Sequence, residues 1–378
     1  MRVVAYPAFS LREQNPYTRL LYGNMDAQVS DFSYRRLLTT RCDILHFHWP
    51  EWELNAYTNA MQAAAWLKLK LLAMDWLRAR GAKVVWTAHN LRAHDGLHPR
   101  LENWFWSSFI KRLDAYIALT ESGRCAALRK FPSLSRVPGY VIPHGHYRNE
   151  YPNGAGAGLR EQVGLNPNTK ILLFFGQIRE YKNVLALIRA FRGMGGDIVL
   201  CIAGRPSSER LAAEVRREAA PDRRVLLYLY DVPKERVQDF FRDADLVVLP
   251  YRDILNSGTA LLSLSFSRPV LVPDRGAMGE LRSTVGPEWV RTYSGEIDAS
   301  AMVEALAWSF NSLRSSEPQL DELAWPQLAK QTLNAFAEIC SKDMQRHLRT
   351  SNFANAKLPD MKLPNIKSNE GSSVSGQA

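Results

Sequence analysis

The stretch Lys170-Ile-Leu-Leu-Phe-Phe-Gly-Gln-Ile-Arg-Glu-Tyr-Lys-Asn183 decides how the second half of this chain folds. It begins with a continuous apolar run, which is typical of a strand that is buried on both faces of a parallel sheet. Gly176 permits a tight turn after that strand, and Arg179 and Lys182 then precede an amphipathic helical pattern. Two cations beside the free N–H groups of a helix start can bind a diphosphate. Taken alone, the stretch is also compatible with a solvated basic loop.

The composition is that of an ordinary folded protein of 378 residues, 46% hydrophobic and 23% charged. This length allows two domains with full cores. A net charge of +10 suits nucleic acid, a membrane surface or a phosphorylated substrate, and composition does not choose among them. Four separated cysteines with no C-x-x-C pair favour a reducing compartment over a disulfide framework or a cysteine-based zinc site.

The termini and hydropathy predict a cytoplasmic protein. Residues 1–7 read as a first strand, so we expect no signal peptide. No uncharged apolar stretch reaches the ~18 residues that a spanning helix needs. Residues 350–378 are polar, and we predict that this tail is disordered.

Between these ends, strands alternate with helices, which predicts an α/β protein with two doubly wound halves. We predict an N-terminal domain over residues 1–150, a glycine-rich linker over 151–164 and a C-terminal domain over 165–324, followed by a helix over 325–348. The predicted strands of the second half are 171–175, 198–203, 225–229, 246–249 and 270–272.

Ligands of such sheets bind outside the carboxyl ends of the strands, which directs attention to the loops there. The segment 256–259, Asn-Ser-Gly-Thr, precedes an apolar run and could present N–H and hydroxyl groups to a phosphate. A plain helix N-cap explains one of its hydroxyls equally well. Glu280 could bind a sugar hydroxyl or complement the dipole of its own helix. Two phosphate-binding segments at neighbouring strand ends indicate a nucleotide diphosphate.

Five short segments of the second half are similar, in sequence and in order, to the donor domain of GT-B glycosyltransferases. They are Phe-Phe-Gly-x-Ile-Arg-x-Tyr-Lys-Asn at 174–183, Ile-Ala-Gly-Arg-Pro at 202–206, Asp-Ala-Asp-Leu-Val-Val-Leu-Pro-Tyr at 243–251, Asn-Ser-Gly-Thr-Ala at 256–260 and Arg-Pro-Val-Leu-Val-Pro at 268–273. The resemblance covers 170–280 and, more weakly, 1–146. There, Asn15-Pro16-Tyr17 and residues 43–51 are similar to bacterial exopolysaccharide enzymes of the xanthan β-mannosyltransferase kind.

The resemblance implies two Rossmann-like domains that face a central cleft, with the last helix crossing back to the first domain. It also implies a nucleotide-sugar donor, with GDP-mannose as the expected donor, a polyprenyl-diphosphate-linked oligosaccharide as acceptor, and no metal or cofactor. The first domain would then bind the acceptor and the second the donor. The donor-binding residues that we predict are Gly176, Arg179, Lys182, Arg205, Asn256, Ser257, Gly258, Thr259 and Glu280.

One departure from the family pattern bears on the mechanism. The common retaining pattern places two glutamates at the donor, and the corresponding positions here hold Asp253 and Leu261. The second carboxylate is missing, so we predict inversion, with a general base from the first domain. Glu51 is the first choice, because Pro50 stiffens the turn that carries it beyond a predicted strand. The alternative is that Glu51 caps the following helix.

Further candidates lie at the other strand ends of the first domain. Asp95 and His89 are the alternative bases, and the residues predicted to line the cleft are Asn15, Tyr17, His48 and His144. Residues 46 and 48 should share one face of a strand. These histidines could also simply line the sheet, and their spacing matches no zinc motif.

Aromatic and basic residues over 101–113 predict contact with the anionic inner face of the plasma membrane. They are Trp104, Phe105, Trp106, Phe109, Lys111 and Arg112. The preceding helix, predicted over 57–80, is typical of a buried helix.

Three alternative functions stay open: a retaining enzyme with another donor, an epimerase or phosphorylase on the same scaffold, and a basic nucleic-acid-binding protein. The last should cluster its cations on one element, whereas here they are spread through both halves.

Overall fold

The computed structural model describes residues 1–10, 15–93, 96–152, 154 and 157–341. Over these residues the strands form two six-stranded sheets in which every strand pair is parallel. The first sheet has the order β2-β1-β3-β4-β5-β6 and the second β12-β11-β10-β7-β8-β9. The strands are β1 (Arg2–Tyr6), β2 (Gln28–Asp31), β3 (Ile44–Phe47), β4 (Lys83–Ala88), β5 (Ala115–Ala118), β6 (Gly139–Val141), β7 (Lys170–Phe175), β8 (Ile198–Ala203), β9 (Val225–Tyr228), β10 (Leu246–Val248), β11 (Val270–Pro273) and β12 (Val290–Tyr293).

Helices connect the strands, as the alternating pattern predicts. They are α1 (Pro16–Gly23), α2 (Trp52–Ala56), α3 (Ala60–Ala79), α4 (Pro99–Ile110), α5 (Glu121–Lys130), α6 (Leu159–Gln162), α7 (Val184–Arg192), α8 (Glu209–Ala219), α9 (Val237–Asp243), α10 (Gly258–Ser265), α11 (Met278–Val285), α12 (Ala299–Asn311) and α13 (Trp325–Cys340). All six residues of β8 are buried, which fits a sheet covered on both faces. The predicted α/β class with two doubly wound halves is confirmed.

The order of the second sheet places the two predicted phosphate-binding segments side by side. The order of the strands reverses at β7: β8 and β9 lie on one side of it, and β10, β11 and β12 lie on the other. At this point β7 pairs with β10, Leu172 with Leu246 and Leu173 with Val247. Ligands of doubly wound sheets bind at this switch point. The loop after β7 carries Lys182, and the chain after β10 leads to α10.

Local signals set several helix starts. The Asn15 side chain accepts a hydrogen bond from the Tyr17 backbone N–H, and Pro16 is the first residue of α1, as predicted. The single helix predicted over 57–80 is confirmed as α3 (Ala60–Ala79), and it begins at Ala60 because its N-cap is Asn59. The Asn59 side chain accepts from the N–H groups of Met61 and Gln62, and α2 ends before Asn59.

Two other differences concern elements with weak patterns. The predicted linker 151–164 contains α6, whose Leu159 is buried in the core of the second half. The short strands β2, β6 and β12 are not apparent from sequence, since β2 and β6 are largely exposed and carry no apolar run. The predicted domain boundaries at 150 and 165 stay predictions.

Helix α13 contacts the first half of the chain. The Trp325 ring lies 5.2 Å from that of Tyr17, and the Phe336 ring lies 5.1 Å from that of His46. The helix is described to Cys340, so the rest of the predicted 325–348 helix and the predicted 350–378 tail lie outside the described residues.

The predicted membrane-facing surface of α4 is wrong for most of its members. Phe105, Trp106 and Phe109 are buried and pack in the core of the first half. The Arg112 guanidinium forms a two-point hydrogen bond with Asp75 on α3. These aromatic positions recur at helical spacing, and the stripe that they form faces the core rather than solvent.

Candidate active site

A cleft of about 1100 Å³ lies between the two sheets, and both halves line it. His89, Asn90 and Arg92, which follow β4, line it from the first half, whereas Asp253 and Asn256, which follow β10, line it from the second. The walls are thus built from chain segments at the carboxyl ends of parallel strands, where the sequence predicts the ligand.

Gly176 allows three elements to meet at the end of β7. Its φ is +104°, and a Cβ there would lie 3.2 Å from Thr259 Oγ1 and 3.6 Å from Lys182 Nζ. A Cβ on Gly204 would lie 2.1 Å from the Gly176 carbonyl oxygen. A side chain at either position would therefore displace the backbone or intrude on the ammonium and hydroxyl groups.

Lys182 carries an ammonium group without a counter-charge. It makes no hydrogen bond or ion pair with any residue that the structure describes, and its Nζ lies 5.3 Å from the centroid of the Tyr251 ring. Burial, together with the nearby Arg179 guanidinium, lowers the pKa of Lys182 to about 8. Arg179 Nε donates to Gln177 Oε1 at 3.1 Å. A desolvated cation of this kind is stabilised by an anion, which a diphosphate would supply.

The start of α10 borders the same pocket. Ser257 is its N-cap, because its Oγ accepts from the Ala260 N–H at 3.1 Å, which is the plain capping role. Both polar atoms of the Asn256 side chain are buried and have no partner among the described residues. A Cβ on Gly258 would lie 3.2 Å from the Tyr147 hydroxyl oxygen, so the start of α10 lies close to Tyr147. The unpartnered amide of Asn256 fits a ligand contact.

Two predicted donor residues already bind protein groups. The exposed Arg205 guanidinium pairs with Asp231 at 3.2 Å. Both Glu280 carboxylate oxygens accept backbone N–H groups at the start of α5, from Glu121 at 2.8 Å and Ser122 at 2.6 Å. Glu280 therefore complements the start of a helix of the other half, and it also lies in the first turn of its own helix, α11. Its contact with the donor stays a prediction, as does that of Arg205.

The predicted cleft residues of the first half lie together in an aromatic cluster. The Tyr17 ring lies edge-on to three histidine rings that the sequence analysis places in the site. The centroid distances are 5.6 Å to His48, 4.6 Å to His89 and 4.9 Å to His144. Asn15 supports this arrangement by capping α1. The structure thus brings the four predicted residues into one place, but Tyr17 and His48 are buried and do not line the cleft as predicted.

A chain of hydrogen bonds connects these histidines to the core. The Tyr22 hydroxyl lies 2.7 Å from both His46 Nδ1 and His48 Nε2, so residues 46 and 48 share one face as predicted. His46 Nε2 lies 2.8 Å from Thr87 Oγ1, and His48 Nδ1 lies 2.9 Å from His89 Nε2. Tyr22 and Thr87 are additions that the sequence did not reveal, although Tyr22 falls on the buried face of α1.

This chain controls the protons on His89. Burial lowers the pKa of each of its three histidines, so the rings are neutral. A neutral ring donates through one nitrogen and accepts through the other. When His89 Nε2 donates to His48, the His89 Nδ1 atom is an acceptor; when the chain runs the other way, that atom is a donor.

Glu51 is buried beside the cleft, with 2% of its surface exposed. Its Oε1 accepts from the Asn90 side-chain amide at 3.1 Å, whereas Oε2 is buried with no partner among the described residues. Burial raises its pKa to about 7. It makes no side-chain capping hydrogen bond to α2, so the alternative role as a helix cap is wrong. Asn90, which the sequence analysis missed, directly follows His89 at a strand end.

The neighbouring carboxylate, Glu53, is engaged differently. It is paired with the buried Lys70 ammonium and accepts from the Tyr6 hydroxyl at 2.7 Å. Glu51 thus keeps an unused oxygen and Glu53 does not. The third candidate base, Asp95, lies outside the described residues. Within the described ranges, no group of three or more histidine, cysteine or acidic side chains is arranged to hold a metal ion.

Comparison with known proteins agrees with this geometry. Residues 158–283 match the family model "Glycosyl transferases group 1". The chain is 31% identical over 332 residues to a GDP-mannose:glycolipid 4-beta-D-mannosyltransferase of Xanthomonas campestris pv. campestris, which covers 87% of this chain and 90% of that protein. Among solved structures, it resembles sucrose-phosphate synthase from Thermosynechococcus elongatus (TM-score 0.59, 14% identity, 92% of this chain and 98% of that one). It also resembles Anabaena Alr3699/HepE in complex with UDP and glucose (TM-score 0.59, 12% identity, 93% and 99%).

Two parallel Rossmann-like sheets that face a cleft, with their ligand-binding loops at the switch point, define a GT-B fold. The chain belongs to the group 1 glycosyltransferase family and is a glycosyltransferase.

Proposed function

We propose that this enzyme transfers mannose from GDP-mannose to a lipid-linked oligosaccharide during exopolysaccharide synthesis, with inversion and without a metal or cofactor. The observation that carries the diphosphate donor is the half-buried Lys182 ammonium beside the start of α10, which has no ion-pair partner among the described residues. The choice of GDP-mannose and of a glycolipid acceptor is supported by the name of the Xanthomonas relative, which covers 87% of this chain.

An inverting transfer is one in-line displacement at the anomeric carbon. The acceptor oxygen attacks while a base removes its proton, and the leaving diphosphate gains negative charge. In our proposal Glu51 takes the proton, because its Oε2 is unpartnered and its pKa lies near neutrality. Arg179 and Lys182 receive the charge of the leaving group. Leu261 supports inversion, since a buried leucine stands where the retaining pattern places its second carboxylate.

The stereochemistry of the product tests this mechanism. With GDP-α-mannose as donor, NMR of the product should show a β-mannosidic linkage, because a single displacement inverts the anomeric carbon. Product formation should persist in excess EDTA, and UDP-glucose at the same concentration serves as the matched donor control. An α linkage would overturn the inverting mechanism and support the retaining alternative.

We further propose that the enzyme contacts the anionic inner membrane surface through one face of α3. This α3 face carries four exposed apolar side chains: Met61, Leu69, Leu72 and Trp76 are 79%, 39%, 57% and 41% exposed. Lys68 and Arg80 are exposed on the same helix, and its single acid, Asp75, is bound to Arg112. Apolar and basic side chains without free acids are complementary to anionic lipid. No helix of the described part of the chain is long and apolar enough to cross a membrane.

Vesicle binding tests the α3 face. Replacing Leu72 and Trp76 together by serine should weaken cosedimentation with phosphatidylglycerol vesicles by about tenfold at low salt, because apolar insertion is lost. Val303→Ser with Leu313→Ser is the matched control, since these side chains of the second half are also exposed (49% and 97%). Donor binding should be unchanged in both variants. An unmodified enzyme that does not bind such vesicles at low salt would show that this surface has another role.

A further inference from the structure

A buried lysine lies directly behind the turn that carries Glu51. Lys70 belongs to the middle of α3 and has 1% of its surface exposed, so its ammonium group is removed from solvent. Its Nζ donates to the Pro50 carbonyl oxygen at 2.6 Å and pairs with the Glu53 carboxylate. The same Nζ lies 4.5 Å from the centroid of the Tyr6 ring. The ammonium is thus held by protein groups and, because it is buried, it does not reach a substrate.

Stability alone is a weak reason for a charge at this place. Removing two charges from water costs free energy, and apolar side chains of similar volume often replace a buried ion pair without loss of stability. The pair of Lys70 and Glu53 therefore needs a further reason. Its position supplies one, because Lys70 contacts the residue that directly precedes Glu51.

The hydrogen bond from Lys70 holds the backbone of this turn. Pro50 is buried and has no N–H of its own, and its carbonyl oxygen accepts from the Lys70 ammonium. The side chain of Glu51 is held separately, because its Oε1 accepts from the Asn90 amide at 3.1 Å. Glu51 is therefore fixed from two directions, and its second oxygen stays unpartnered among the described residues.

The charge of Lys70 also acts on the ionisation of Glu51. Burial raises the pKa of Glu51, the hydrogen bond from Asn90 and the Lys70 ammonium lower it, and the Glu102 carboxylate on α4 raises it further. Burial lowers the pKa of Lys70 itself, whereas the Glu53 carboxylate favours its charged form. Lys70 thus offsets part of the cost of ionising a buried carboxyl.

We propose that Lys70 is a positioning residue for the general base: its ammonium holds the turn that carries Glu51 and stabilises the carboxylate that takes the proton. This inference rests on the proposed role of Glu51 and adds the residue that prepares it. The alternative is a purely structural ion pair that joins α2 to α3. The two roles differ in one observable, the pH at which turnover begins.

The pH dependence of turnover separates these roles. Lys70→Met with Glu53→Gln replaces the ion pair by neutral side chains of similar shape, and the glutamine oxygen can still accept from the Tyr6 hydroxyl. Without the ammonium the Glu51 carboxylate forms less readily, so the acidic limb of the profile should move up by about one pH unit or more. From a pKa of about 7, turnover at pH 7 should then fall about fivefold and recover as the pH rises.

A second variant removes the charge and keeps a hydrogen-bond donor. Lys70→Gln retains an amide that can donate to the Pro50 carbonyl oxygen, and it should show the same upward shift of the acidic limb. Lys83→Met is the matched control, because Lys83 pairs with Asp114 at 3.9 Å in the same half but begins β4, at the end of that strand away from Asn90. Its acidic limb should stay in place.

Binding of GDP-mannose, measured by calorimetry, should be unchanged in these variants, because Arg179 and Lys182 belong to the second half. Lower turnover at every pH with an unmoved acidic limb would indicate a purely structural pair and overturn the inference. Normal turnover in Glu51→Gln would instead refute the proposed base itself. The two failures are therefore distinguishable.

Discussion

The Glu51→Gln enzyme is expected to bind GDP-mannose as the unmodified enzyme does and to turn over roughly two to four orders of magnitude more slowly. Glutamine keeps the shape of the side chain and can still accept the hydrogen bond from Asn90. It cannot take a proton from the acceptor hydroxyl. Donor affinity by calorimetry and turnover by GDP release separate these two effects.

The pH profile gives an independent signature of this base. Burial raises the pKa of Glu51 to about 7, and a general base acts only when it is deprotonated. Turnover of the unmodified enzyme should therefore fall as the pH decreases below about 7. The residual activity of Glu51→Gln should lack this dependence. The buried histidines contribute no step there, because burial holds the pKa values of His48 and His89 well below their usual range.

Glu102→Gln is the matched control, since Glu102 lines the cleft and undergoes the same substitution. Its oxygen accepts backbone and indole N–H groups, which a glutamine oxygen can also accept, so we expect nearly normal turnover. Normal turnover in Glu51→Gln would assign the base to His89 or Asp95. His89→Asn would then distinguish these two, because His89 ends a hydrogen-bonded chain that can present Nδ1 as an acceptor.

The sequence predicts those features that depend on residues adjacent to one another in the chain. Continuous apolar runs predict the buried strands, and Asn15 with Pro16 predicts the start of α1. The position of Lys182 in the donor pocket follows from its place after a strand, because doubly wound sheets bind ligands there. Recognition of the GT-B family adds the cleft and the crossing helix.

Features that depend on distant elements could not be predicted. The hydrogen-bonded chain joins α1, β3, β4 and the segments that follow these two strands, and no local pattern specifies that Tyr22 bridges His46 and His48. Composition also does not distinguish an aromatic stripe that faces the core from one that faces solvent. Trp106 is buried and Trp76 is exposed, although both tryptophans belong to helices that combine aromatic and basic residues.

Lys182→Ala is expected to lower the catalytic rate by about a hundredfold or more, a cost of about 3 kcal/mol in transition-state stabilisation. The side chain is half-buried and has no hydrogen-bond or ion-pair partner among the described residues, so its charge is available to the leaving diphosphate. Arg179→Ala removes a charge from the same pocket and should also cost several kcal/mol. Lys170→Ala is the control, because Lys170 begins β7 and contacts the Phe310 ring.

Proton uptake on GDP binding tests the role of Lys182 without relying on turnover. The pKa of Lys182 is about 8 in the free enzyme, and a bound diphosphate favours the charged ammonium and raises it. At pH 8, binding should take up about half a proton, and GDP affinity should fall as the pH rises above 8. Calorimetry in two buffers of different ionisation enthalpy measures this uptake. Lys182→Ala should abolish this proton uptake, and Lys170→Ala should not. An unchanged uptake in Lys182→Ala would contradict the assignment of the donor pocket. Nearly normal turnover in both Lys182→Ala and Arg179→Ala would also contradict it.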